Sequence, residues 1–138
     1  MSRSTRGFTL IELLVVIAVI AVLAGIVGPM VFRNVGDAKV TAAKAQLELF
    51  GLALDQYRLD NDYYPSAAQG LEALRSAPQG EPSVHNWRGP YLKKPVPLDP
   101  WGRAYTYAST ASGYSLFSLG RDGKEGGEGE DHDIGRDE

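Results

Sequence analysis

Two places in this 138-residue sequence carry residues whose types and spacing could do chemistry. The first is Glu12, a lone carboxylate just inside a run that continues from Leu13 to Gly28 without a charge. An acid beside such a run is costly in lipid and calls for a cationic partner. If the apolar span begins only at Leu13, Glu12 rests among headgroups instead; the residues alone leave both readings open. The second place is the acidic C-terminus, where Asp122, Glu125, Glu128, Glu130, Asp131 and Asp133 are interleaved with glycines. Calcium takes about six to eight hard oxygens from carboxylates and carbonyls. Glycine lets the backbone turn so that carbonyls point inward. The spacing is not that of an EF-hand, since Lys124 stands where the second ligand would fall. Composition favours the competing reading, a solvated and disordered tail.

The remaining candidates are weaker. Tyr57, Tyr63, Tyr64, Trp87, Trp101, Tyr105 and Tyr107 could form a stacking platform, but their positions suit packing better. His85 and His132 stand apart in sequence, and no Ser, Cys or Lys arrangement around them resembles a catalytic group. The chain is therefore expected not to be an enzyme, with no small-molecule substrate. Absence of cysteine excludes disulfides and thiolate zinc sites, so a small domain must be stapled by other means, a metal ion being one.

These groups need elements to position them. Charge is uneven: residues 1–7 carry Arg3 and Arg6, residues 8–120 balance nine bases against nine acids, and residues 121–138 hold three bases and eight acids. The acidity is local, and no basic patch suggests nucleic acid. Residues 8–32 form an apolar stretch long enough as a helix to cross a hydrocarbon core of about 30 Å. The basic leader places the N-terminus in the cytoplasm and the rest outside. A cleaved secretory signal remains open through the small residues Ala21, Ala24, Gly25 and Gly28. Ala43, Leu47, Phe50, Leu54 and Tyr57 recur at helical spacing. One helix is thus expected from Phe8 to Leu59, kinked or loosened at Pro29. Asp60 to Pro65 ends it, and Ser66 with Gln69 forms a capping-box pair that predicts a second helix ending near Ala77-Pro78. A Pro-rich connector follows over 78–100, with a short strand or turn at Tyr91-Leu92, then an Asp99-Pro100-Trp101-Gly102 turn. Ala104–Ala108 and Tyr114–Leu119 read as a hairpin lying on the Leu47/Phe50/Leu54 face. The expected class is α+β: a long helix packed against a small antiparallel sheet.

Gly7-Phe8-Thr9-Leu10-Ile11-Glu12 before an apolar run resembles the class III leader of type IV pilins and type II secretion pseudopilins. Further segments resemble the G-type major pseudopilin family: Tyr57 to Asn61, Tyr64-Pro65, Gln69-Gly70-Leu71, Ala73-Leu74, Asp99 to Gly102, and Ser118 to Gly123 with Gly126-Gly127. The resemblance covers nearly the whole chain. It implies a pilin-like fold, cleavage of leader 1–7 by a prepilin peptidase after Gly7, and N-methylation of Phe8. The freed Phe8 amine, four residues from Glu12, would supply the missing cation from a neighbouring subunit. It implies a calcium-stabilised C-terminal loop, with Asp122 and Asp133 matching best, Glu130 or Asp131 adding a ligand, and the Leu119 carbonyl contributing from the backbone. The implied partners are further copies in a helical filament, minor pseudopilins, the inner-membrane assembly platform and the membrane itself. The implied place is the bacterial inner membrane, with head 33–138 in the periplasm. A type IV pilus subunit is the alternative, and a membrane-anchored binding protein a more distant one.

Overall fold

The structure, a computed structural model, describes residues 7–110 and 113–136. The leader bases Arg3 and Arg6 lie outside these. The chain divides into two compact units, one reaching to Gly36 and the other starting at Asp37.

Helix α1 runs Leu10–Asn61 and contains Pro29. The helix continues through Pro29, where proline removes one backbone donor. In the first unit the large apolar side chains from Phe8 to Val35 are exposed by 50–88%. Among the described residues of this unit nothing covers them, and this half of the helix is apolar all round. It is long and apolar enough to cross a membrane.

In the second unit the same helix becomes one-sided. Ala43, Phe50, Ala53, Leu54 and Tyr57 are buried and Leu47 is half-buried, on the face that the spacing predicts. Strands β1 (Thr106–Ser109) and β2 (Tyr114–Phe117) pair antiparallel, with Tyr107 opposite Leu116. They contribute Leu116 to the same core, and Tyr105 just before β1 meets Phe50 edge-on at 5.2 Å. The strands are shorter than Ala104–Ala108 and Tyr114–Leu119. Ser118 leaves the hairpin and bridges Ile134 instead, exchanging N–H···O bonds of 3.0 and 2.9 Å.

The second helix expected from Ser66 is reduced to a single 3-10 turn, Leu71–Leu74. The Ser66–Gln69 box does form, with reciprocal bonds of 3.0 and 3.2 Å. It closes a turn rather than starting a helix, because Gly70 follows at φ +59°, outside the helical region. Leu71, Ala73 and Leu74 still reach the core. The connector is held to this turn: Trp87 donates to the Ala73 carbonyl at 2.9 Å, and Tyr91 and Leu92 donate to Leu74.

The C-terminal tail is not the disordered segment its composition suggests. Ile134, its lone apolar residue, is 3% exposed and enters the core, and residues Gly129–Asp131 form a 3-10 turn.

Candidate functional site

At the N-terminal end, Thr9 precedes α1 and Glu12 lies in its first turn. Glu12 Oε2 accepts from the Thr9 amide at 2.8 Å and from the Thr9 hydroxyl at 2.9 Å. The Glu12 amide donates back to Thr9 Oγ1 at 3.3 Å. This reciprocal pattern is a capping box, which satisfies donors that the start of a helix otherwise leaves free. The Thr-x-x-Glu order that makes this box is legible in the sequence. Gly7 and Phe8 are exposed ahead of the helix, with open space around Gly7.

The acidic loop starts from a buried polar knot. Asp99, 4% exposed, accepts from the Trp101 and Arg103 amides at 3.0 and 2.8 Å through Oδ1, and from the Ser118 hydroxyl at 2.6 Å through Oδ2. Ser118 Oγ in turn accepts from the Gly120 amide at 3.2 Å. Arg103 donates to the carbonyls of Gly120 and Arg121 at 3.2 and 2.7 Å. The turn at 99–102 therefore fixes where the acidic loop begins, a role beyond the turn chemistry its sequence announces.

The expected ligands then separate. Arg121 makes a two-pronged pair with Asp131, Nε and Nη2 each at 2.8 Å, and lies 3.7 Å from Glu130. Glu130 also accepts from the Trp101 indole at 3.5 Å. Asp122 accepts from the Lys124 amide at 3.0 Å. Asp133, 5% exposed, uses Oδ2 to accept from Arg136 at 2.8 Å and from the Gly126 amide at 3.1 Å. Burial alone would raise the Asp133 carboxyl, but these two donors outweigh it and hold it below the usual range. Its other oxygen, Oδ1, is buried and has no hydrogen-bond partner among the described residues. Leu119 is half-buried. Among the described residues no three His, Asp or Glu side chains converge to hold a metal ion. The fit to calcium is thus divided: Asp133 offers an oxygen that lacks a donor, while arginine occupies Asp131 and lies beside Glu130.

The aromatic residues pack as expected of a core and its rim. Tyr57 meets Tyr63 and Tyr91 edge-on at 6.5 and 5.7 Å, and Tyr64 meets Tyr114 at 4.8 Å. His132 is exposed. His85 is less isolated than its sequence suggested, since its ring lies 3.1 Å from the Ser83 hydroxyl in an exposed stretch. A nucleophile and base also need a group to orient the imidazole; among the described residues Ser83 is the ring's only hydrogen-bond partner.

Comparison with known proteins adds to this geometry. Residues 30–137 match the family model described as type II secretion system protein G, and residues 2–28 match the prokaryotic N-terminal methylation motif. The type II secretion system core protein G of Pseudomonas aeruginosa is 49% identical over 136 residues, 96% of this chain and 95% of that one. Its counterpart in Vibrio cholerae is 43% identical, covering 96% and 92%. The major pseudopilin from the type 2 secretion system of enterohaemorrhagic Escherichia coli superposes with a TM-score of 0.63 at 36% identity, over 73% of this chain and 84% of that structure.

Proposed function

The chain belongs to the type II secretion system protein G family, and from that premise we infer that it is a major pseudopilin, the structural subunit of the filament that helps export folded proteins across the outer membrane. Its role is structural and not catalytic. The observation that carries this reading is the bare apolar half of α1 beneath a capped carboxylate. Such a surface needs either lipid or like helices around it.

The life of the subunit follows. Segment 8–32 anchors the precursor in the inner membrane, with leader 1–7 in the cytoplasm and head 33–138 in the periplasm. Prepilin peptidase cuts between Gly7 and Phe8, and Phe8 is N-methylated. Minor pseudopilins and the inner-membrane platform then help transfer the helix from lipid into a bundle of like helices. Glu12 Oε2 takes both Thr9 donors, so Oε1 remains to meet the Phe8 amine of an adjacent copy. A paired ion in a low-dielectric bundle fixes register even where its net stabilisation is small. We propose calcium as the cation of the C-terminal loop, which would draw on Asp133, Asp122, Glu130, Asp131 and the Leu119 carbonyl. When bound it would offset the local negative charge and pin the loop.

Glu12→Ala tests the assembly reading. The variant should reach the membrane in normal amount, and electron microscopy of sheared preparations should find no ordered filaments. Normal filaments from this variant would remove the register argument.

A further inference from the structure

The carboxylates that calcium would use already have cations, and these belong to the chain itself. Arg121 grips Asp131 with two bonds of 2.8 Å and lies beside Glu130; Arg136 grips Asp133 at 2.8 Å and Glu125 at 3.3 Å. The two arginines fasten the loop at both ends. Arg121 joins its start to the Gly129–Asp131 turn. Arg136 joins its end to its middle and lies over the Phe117 ring of β2 at 5.2 Å, so this guanidinium also ties the loop to the sheet. A planar guanidinium presents parallel donors that match a carboxylate, which a point charge cannot do. Among the described residues the buried Asp133 Oδ1 still accepts no hydrogen bond.

We propose that Arg121 and Arg136 form an internal clasp that closes the acidic loop in the metal-free chain and must release the carboxylates before a divalent cation can take them. The inference rests on the calcium reading for its second half only. Cation and clasp compete for the same oxygens, so the loop has two closed forms with different counter-charges. The head accordingly depends less on calcium than a loop without arginines would. Lys124 carries the same charge in the same loop, but it contacts Asp122 through its backbone amide, so it serves as the control.

The test uses the full chain in detergent micelles. Calcium binding is measured by titration calorimetry, and thermal melting is followed with and without chelator, for the native chain, Arg121→Gln/Arg136→Gln and Lys124→Gln. The double variant should melt several degrees lower in chelator, recover on adding calcium, and bind calcium at least about tenfold more tightly, since two cations within about 4 Å of the ligands are gone. Lys124→Gln should shift affinity far less, and Arg121→Lys should fall between, keeping the charge but losing the fork. Equal affinity in all forms, or an unchanged metal-free melt in the double variant, overturns the clasp. If no form binds calcium while the double variant still melts lower, the calcium reading fails and the clasp stands as the closure of the loop.

Discussion

At the scale of single residues, the buried hydroxyls behave differently from one another. Tyr57 is fully buried and its hydroxyl has no partner among the described residues, whereas the Tyr107 hydroxyl donates to the Pro65 carbonyl at 2.7 Å. Removing an unpaired buried polar atom costs little, while stranding a buried carbonyl costs about 1–3 kcal/mol. Tyr57→Phe should therefore leave denaturant stability unchanged or raised, and Tyr107→Phe should lower it by roughly that amount. Burial raises Tyr57, Tyr105 and Tyr107 to about 12. In the unfolded chain they ionise near 10. The folded head thus retains protons that the unfolded chain has lost between these values, so stability is complete below about pH 10 and falls as pH rises toward 12. Phenolate absorbance and circular dichroism should show ionisation and unfolding together in that window, and Tyr105→Phe should soften the loss. Glu12 and its neighbours were legible from type and order alone. The Asp99–Ser118 knot was not, because its members are 19 residues apart and neither is unusual where it stands.

At the scale of elements, the helical face shows how far periodicity reaches. The spacing of Ala43 to Tyr57 names the buried side, and Leu54 at its centre is 0% exposed. Leu54→Ala should cost about 2–5 kcal/mol in denaturant unfolding, and Leu52→Ala, 69% exposed on the other side, much less. Local signals misled where one residue overruled them. The capping pair at Ser66 promised a helix, and Gly70 cut it to a turn. The tail's composition promised disorder, and Ile134 with two arginines ordered it. Averages over a window dilute a lone anchor. Gly127 adds a backbone requirement: it sits at φ +90°, and a Cβ there would come within 2.3 Å of the Asp131 carbonyl oxygen. Gly127→Ala should lower the melting temperature and expose the loop to protease, while Gly25→Ala, with open space around it, should not.

At the scale of the molecule, the division between an apolar unit and a packed unit was plain in the sequence, since composition changes sharply along one helix. Among the described residues every member of the hydrophobic core lies at or beyond Ala43. Fragment 33–138 should therefore be soluble without detergent and melt cooperatively, as gel filtration and circular dichroism would record; aggregation would mean that the first unit supports the second. Which copies meet which, and how the anchor exchanges lipid for helices, involves surfaces of other molecules, and no single chain's pattern encodes that directly.

The two-stranded hairpin has a consequence for a protein made to pack against itself. A filament lines up many identical sheet edges at high local concentration, the condition under which cross-β aggregates nucleate. Here each strand is only four residues long, short of the roughly six or seven that a steric zipper uses. The Ser118–Ile134 bridge turns the end of β2 into its own chain. Little open ladder is left to template another copy. The proposed assembly through helices would therefore proceed beside a sheet that offers an amyloid ladder little to extend.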